Sequence, residues 1–307
     1  MDTSKIVSLF LLIMIGYIAK KLNVVKSDIK GHLSTLVLNI TLPLYIFTAM
    51  QFEFSRDVLK ETGILVVISV VYYAVVYLFA NGFTKVTKQK DMRRDIFQYM
   101  ITFSNVGYMG YPIMYELAGE KGMFYAAIYN LSFNVLTWTL GVYIMSRHKS
   151  EVEHQSMKER LVHVLNPSLF AVIIGFTCFL FSIKVPVALI DTFKSVGSAT
   201  TPLSMMFIGI ILAEIKVQSI FTDIWVFIVS AIRLIVIPLT TFIILKVLGL
   251  NGLLLTIPVV LSAMPTSANS AIIASRYGNE SELASKMIFV STLFCIITVP
   301  FILKILG

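Results

Sequence analysis

The chain has 307 residues, of which 57% are hydrophobic and 14% charged, against about 45–50% and 25% in an average soluble domain. That composition excludes an ordinary soluble enzyme, which would lack the polar surface to clothe its fold, and leaves a polytopic membrane protein. The net charge of +8 does not point to nucleic acid, because the basic residues gather in short stretches between apolar runs, where they orient helices in a membrane.

Long apolar runs lie at residues 6–19, 32–50, 62–83, 95–115, 123–146, 162–183, 187–213, 221–248, 252–275 and 286–306. At roughly 20 residues per transmembrane helix, they predict ten spans and leave no loop long enough for a soluble domain. Residues 1–5 lead into the first run without a small-residue cleavage site, so that helix is expected to be retained rather than removed as a signal. Cys178 and Cys295 lie in apolar runs without metal-type spacing and read as buried small residues.

Basic residues set the orientation. The links after spans 1, 3, 5, 7 and 9 carry Lys20, Lys21, Lys26 and Lys30; Lys85, Lys88, Lys90, Arg93 and Arg94; Arg147, Lys149, Lys158 and Arg160; Lys216; and Arg276 and Lys286. The other side has Lys5, Arg56, Lys60, Lys121, Lys184, Lys246 and Lys304. Sixteen against seven places the odd-numbered links in the cytoplasm and both termini outside it.

A displacement of 159 residues lays Gly16 on Gly175, Thr41 on Thr200, Pro43 on Pro202, Leu44 on Leu203 and Gly119 on Gly278. Each half, 1–150 and 151–307, holds five spans. Because five is odd, the second copy enters the membrane from the opposite side. The predicted fold is therefore all-α, ten transmembrane helices in a 5+5 inverted repeat, an arrangement characteristic of secondary transporters.

Spans 4 and 9, at corresponding places in the two halves, concentrate helix-breaking and polar residues. Span 4 has Asn105, Gly107, Tyr108, Gly110 and Pro112; span 9 has Pro265, Thr266, Ser267, Asn269 and Ser270. Backbone groups freed at membrane depth cost several kcal/mol each unless they line a polar cavity or find protein partners. The pair therefore reads as two broken helices crossing at mid-membrane, where helix N-termini and neutral donors would hold an anion. Kinked packing helices rich in small residues are the plainer alternative.

Pro43 in span 2 and Pro202 in span 7 are expected to bend their helices. Asn39 and Ser204 beside them would face the substrate path. Arg233, twelve residues into span 8, has no acid at i±3 or i±4. It either attracts an anionic substrate or ties helices together through backbone carbonyls or a distant carboxylate such as Glu116. Asp191 and Lys194 read as an i,i+3 pair at an interface. Tyr72, Tyr73 and Tyr77 read as lipid or packing residues. His32, His148, His154 and His163 fall in or beside the cytoplasmic links, and the sequence contains no HExxH, nucleophile elbow, P-loop or GxGxxG. No catalytic set, metal site or cofactor is expected.

The segments LNITLPLYIFTAM, TFSNVGYMGYPI, TTPLSMMFIGIILAE, AIRLIVIPL and AMPTSANSAIIASRYG, in this order, resemble the auxin efflux carrier family, also called the membrane transport protein family. Its bacterial members are often called malate or malonate permeases. The resemblance covers almost the whole chain. It implies the sodium/proton-antiporter-like or bile-acid-symporter-like fold and a homodimer. Spans 1, 2, 6 and 7 would form a scaffold, and spans 3–5 and 8–10 a moving transport domain. The family's crossover prolines would fall at Pro112 and Pro265, and its helix-4 asparagine at Asn105. The short link at 147–161 lacks the long regulatory loop of plant members, and residues 62–83 show no acidic equivalent of the plant support site.

The expected function is carriage of a small mono- or dicarboxylate across the cell membrane by elevator-type displacement. Sodium or proton coupling stays open, since a potential of about 100 mV alone supplies about 2.3 kcal/mol per charge. A cation exchanger of the same fold, or a membrane receptor, are the rivals.

Overall fold

A computed structural model describes residues 3–26, 28–147, 165–215, 221 and 223–306. The 147–161 link except Arg147, the boundary at 150/151, His148, His154, His163 and Lys216 lie outside the described residues. Helices account for nearly all of what is described: α1 (Thr3–Lys21), α2 (Ile29–Ala49), α3 (Arg56–Val86), α4 (Asp91–Thr102), α5 (Tyr111–Tyr129), α6 (131–146), α7 (Pro167–Leu180), α8 (Val187–Glu214), α9 (Ile224–Val247), α10 (Leu253–Ser262), α11 (Ser270–Arg276) and α12 (Ser281–Leu306). Among the described residues, the only extended pairing is an isolated antiparallel bridge between Ser104 and Thr266.

By length and composition, α2, α3, α8, α9 and α12 are able to cross a membrane. The other apolar runs fall on helices that are shorter or interrupted, and the interruptions have local causes. Three widened π turns, Val37–Thr41, Val106–Gly110 and Ile232–Val236, each end two residues before a proline: Pro43, Pro112 and Pro238. A proline lacks the N–H for the carbonyl one turn back and crowds it. An extra residue in the preceding turn relieves that crowding. A fourth π turn, Thr137–Gly141, has no proline after it. It lies where a Cβ on Gly141 would stand 2.9 Å from the Tyr99 ring.

The glycines that the 159-residue offset superposes, Gly119 and Gly278, both have left-handed backbone, φ 59° and 66°. Gly119 breaks α5, with Ala118 also non-helical. Caps fix two other starts: Asn166 accepts from the Leu169 N–H at 3.0 Å before α7, and Asp223 from the Trp225 N–H at 3.0 Å before α9.

The chain divides into two compact units. Unit 1 comprises 1–66, 107–131 and 165–214, and unit 2 comprises 67–106, 132–164 and 215–307. In unit 1, α1 lies along the second half of α8. Glycines make this approach possible: a Cβ on Gly16 would fall 2.2 Å from the Met206 carbonyl oxygen, and one on Gly209 would fall 2.0 Å from that of Ile13. Such backbone contact is the usual route to helix adhesion where lipid offers no hydrophobic drive. Lys20 of α1 and Lys30 of α2 both reach Glu214 at the end of α8, at 3.3 and 2.7 Å. Lys194, expected beside Asp191, reaches Glu120 at 2.8 Å.

In unit 2, an apolar cluster of Leu245, Leu255, Val259, Ala263 and Ile302 holds α9, α10 and α12 together. The start of α4 is fastened by charge. Arg147 donates to buried Asp95 and to Gln98, whose amide donates onward to Asn81 and Thr84. Arg93 donates to both carboxylate oxygens of Asp223 at 2.7 and 2.6 Å. Both bonds come from Nη2, and such charge-assisted bonds are shorter and stronger than neutral ones.

Candidate functional site

In unit 2, α4 stops at Thr102 and Phe103 turns extended, φ −107° and ψ 117°. Phe103 is wedged against Tyr73, Tyr99 and Phe133, with ring centroids 6.1, 4.7 and 5.8 Å away, so the break is set by packing as well as by sequence. On the other side, α10 stops at Ser262, and residues 263–269 lead to α11. The two breaks pair. The Asn105 N–H donates to the Pro265 carbonyl at 2.8 Å, and the Ser267 N–H to that of Phe103 at 3.2 Å. Antiparallel pairing thus satisfies backbone groups that neither helix can serve, as burial away from water requires.

Asn105, Thr266, Ser267 and Ser270 are all buried here, Asn269 is half-buried, and Pro265 is buried at the pairing itself. Ser291 of α12 joins them. Its hydroxyl donates to the Met287 carbonyl at 2.7 Å. It accepts from the Thr266 N–H at 3.2 Å and lies 2.9 Å from the Thr266 hydroxyl. With the Ser291 proton committed to Met287, the Thr266 hydroxyl is the donor of that pair. Ser270 turns its hydroxyl back to the Ser267 carbonyl at 2.6 Å.

Arg233 is 0% exposed. It donates from Nη1 to the Ile101 carbonyl and the Tyr72 hydroxyl, both at 3.1 Å, and from Nε to the Met264 carbonyl at 3.3 Å. Ile101 lies in the last turn of α4, and Met264 follows the end of α10. One guanidinium therefore serves the C-terminal ends of both interrupted helices, where orphan carbonyls concentrate negative partial charge. Of the two roles open from sequence, the contacts are those of a tie through backbone carbonyls, with Tyr72 in place of a carboxylate. Among the described residues, Nη2 is buried without a protein partner.

The expected residues that fall in unit 1 occupy other settings. Tyr108 is buried, 2.6 Å from the Ser34 hydroxyl and with its ring 4.6 Å from that of Phe207. Gly107 and Gly110 belong to the π turn before α5, and Pro112 is in the first turn of α5 rather than in the extended break. Ser204 is fully buried in α8. Asn39 is exposed, in a shallow groove with His32, Thr35 and Ile40. Pro43 and Pro202 each lie within two residues of a buried threonine, Thr41 and Thr200.

Sequence reasoning missed Ser291, Ser34 and the role of Tyr72. Ser291 carried a signal, since it is among the few polar residues inside the last span. Ser34 and Tyr72 carried none, because their partners are 74 and 161 residues away. Among the described residues, no group of three or more His, Cys, Asp or Glu could hold a metal ion.

Comparison with known proteins bears on this arrangement. Residues 3–303 match the family described as membrane transport protein. An uncharacterized transporter of Methanocaldococcus jannaschii is 25% identical, covering 94% of each chain. The uncharacterized transporter YfdV of Escherichia coli K12 is 20% identical over 95% of this chain and 93% of its own. A protein of Rhizobium meliloti named "Putative malonate transporter" is 23% identical over 99% and 95%. With the family matched over nearly its full length, this chain belongs to the membrane transport protein family, to which the auxin efflux carriers also belong.

Proposed function

We propose that the protein carries a small organic anion, a mono- or dicarboxylate of the malate or malonate kind, across the cell membrane. The observation that carries this reading is the paired break in unit 2, where Asn105, Thr266 and Ser267 are buried beside backbone that has left its helices. Irregular backbone at membrane depth is tolerated where it meets protein or lines a cavity. Transporters use such breaks to hold substrate. The buried guanidinium of Arg233, whose hydrogen-bond partners are all neutral, adds positive potential without presenting a free ion pair. The name of the Rhizobium meliloti relative agrees with a dicarboxylate.

In this reading the chain spans the bilayer ten times as a 5+5 inverted repeat with both termini outside the cytoplasm. The left-handed glycines at 119 and 278 and the proline pair at 43 and 202 support the repeat. Substrate is held by Asn105, Thr266, Ser267, Asn269 and Ser270. It is moved by elevator displacement of spans 3–5 and 8–10 against spans 1, 2, 6 and 7 in a homodimer. An anion leaving a cytoplasm held about 100 mV negative gains about 2.3 kcal/mol per charge, so no coupling ion is required for efflux.

The test is uptake of radiolabelled carboxylates into proteoliposomes, with and without an imposed potential and a sodium gradient. Wild-type protein takes up at least one C3–C4 dicarboxylate, and Asn105→Ala lowers that uptake about tenfold, the loss of roughly 1.4 kcal/mol of binding, while still inserting. Wild-type flux in Asn105→Ala and Asn269→Ala together removes the site assignment. Sodium- or pH-dependent current with no organic anion present removes the substrate class.

A further inference from the structure

Three hydroxyls of α2 and α8 are buried with no hydrogen-bond partner among the described residues: Thr41, Thr200 and Ser204, whose exposures are 3%, 0% and 0%. Five other helical threonines bond locally. Thr62, Thr84, Thr102, Thr177 and Thr240 each donate to the carbonyl four residues back in their own helices, at 2.7–3.0 Å. That local bond is the default for a helical threonine. At Thr41 and Thr200 it is not made.

The three lie together. In unit 1, α2 and α8 run antiparallel: Val187–Ser198 packs on Leu42–Ala49, Thr200–Glu214 packs on Ile29–Leu36, and the π turn Val37–Thr41 meets both parts of α8. The two helices approach closely at Gly197, where a Cβ would stand 3.0 Å from the Tyr45 backbone. One turn back along α2 from Tyr45 is Thr41, and one turn forward along α8 from Gly197 is Thr200 or Thr201. Of the two, Thr200 is the fully buried one, so helix geometry puts it near Thr41 across the packed pair, with Ser204 one turn beyond Thr200 on the same side of α8. Both threonines stand two residues before a proline, Pro43 and Pro202. Each proline withholds the N–H that a carbonyl of the preceding turn would have accepted.

The chemistry here is thus three hydroxyls, able to present lone pairs, on helices whose prolines leave a carbonyl of the preceding turn without its usual donor. An anion meets repulsion from such carbonyls. A divalent cation would need carboxylate ligands to repay its dehydration, and no cluster of three His, Cys, Asp or Glu occurs among the described residues. Neutral oxygens from an interrupted helix are the ligand set that suits a monovalent hard cation. We propose that Thr41, Thr200 and Ser204 of unit 1 form a binding site for a sodium-like monovalent cation between the proline-bent parts of α2 and α8. This assigns Ser204 to a cation instead of to the organic anion, and it requires nothing of the crossing in unit 2.

The test is equilibrium binding of radioactive sodium to the purified full-length protein in detergent. Thermal unfolding in sodium, potassium or choline chloride at equal ionic strength accompanies it, with no organic anion present. Saturable sodium binding is expected. Sodium should raise the unfolding temperature above that in choline by about 3 °C, the shift that roughly tenfold saturation gives a chain of this size. Thr41→Val and Thr200→Val are expected to weaken sodium binding at least about tenfold, and Thr200→Ser, which keeps the hydroxyl, to retain it. If the valine variants do not fold, a Thr200→Ser protein that still binds sodium and a Ser204→Ala protein that binds it more weakly carry the same conclusion. Equal unfolding temperatures in sodium and choline overturn the proposal, as does sodium binding unchanged by Thr41→Val and Thr200→Val. Stabilisation by valine in every salt would show a pocket for water alone and overturns it as well. Since the assay contains no carboxylate, its failure would leave the transport reading untouched.

Discussion

Replacing Arg233 separates a structural guanidinium from one held in reserve for substrate, because the two roles predict opposite signs in the empty protein. Arg233→Met keeps the length of the stem and removes the charge. It deletes three hydrogen bonds from a charged donor, to Ile101, Tyr72 and Met264, each worth about 1.5–3 kcal/mol at typical geometry. The 3.3 Å bond to Met264 belongs at the low end. It also strips a cation from two helix C-termini, an interaction of about 0.3–2 kcal/mol at each. The desolvation of the guanidinium, several kcal/mol, is recovered in the variant and offsets part of this. The Ile101 and Met264 carbonyls stay behind bare, which is the form the lost bonds take and not a further cost. The net expectation is a loss of about 2–4 kcal/mol. Arg233→Lys should recover less than half, since one ammonium on a flexible stem cannot serve acceptors in three directions as a planar fork does. Denaturant unfolding of the detergent-solubilised protein without any organic anion measures both. An Arg233→Met protein as stable as wild type, or more so, would falsify the tie between α4 and α10, because only an uncompensated guanidinium gains from removal.

Gly209→Ala should destabilise by about 2–3 kcal/mol, since its Cβ would stand 2.0 Å from the Ile13 carbonyl oxygen and 2.6 Å from the Tyr17 nitrogen. Gly63→Ala, within α3 where a Cβ would meet open space, should instead gain about 0.5–1 kcal/mol of helix stability. Unfolding curves measured side by side check both signs, and equal behaviour of the two would remove the close α1–α8 approach. Ser291→Ala deprives the Thr266 N–H of its acceptor and should cost about 1–3 kcal/mol. It should also lower carboxylate uptake in proteoliposomes; unchanged uptake would show that the order of the break does not matter to transport. Asp95→Ala leaves Arg147 without its carboxylate beside a 0% exposed site and should cost about 3–5 kcal/mol. A variant that unfolds with wild-type stability would show that this fastening of α4 is dispensable.

The sequence by itself determined the class, the helical content and the family of this protein. Those properties follow from local quantities: the length of apolar runs, the spacing of basic links, and short motifs such as SNVGYMGYP and AMPTSANS. It also marked both breaks to within a few residues, because Gly, Pro, Asn and Ser disfavour a helix wherever they gather. The position of the first break was less legible. Pro112 drew attention to itself, yet proline is accommodated in the first turn of α5, and the chain leaves α4 nine residues earlier, at Phe103. Aromatic packing against Tyr73, Tyr99 and Phe133 decides that, and packing has no local signature.

Only the tertiary structure decided what the polar residues do. Arg233 read as either ligand or tie, the tie favoured, until its three acceptors came from α3, α4 and the segment after α10. Tyr72 read as a lipid or packing residue until its hydroxyl met that guanidinium. Thr41 and Thr200 were merely neighbours of prolines until burial in α2 and α8 left their hydroxyls without a partner among the described residues. In each case the partner is far along the chain, and a buried polar group is defined by the partner it finds. The apolar pattern says that a span is buried, while the hydrogen-bond geometry says which few polar atoms within it are spent on the fold and which remain for a guest.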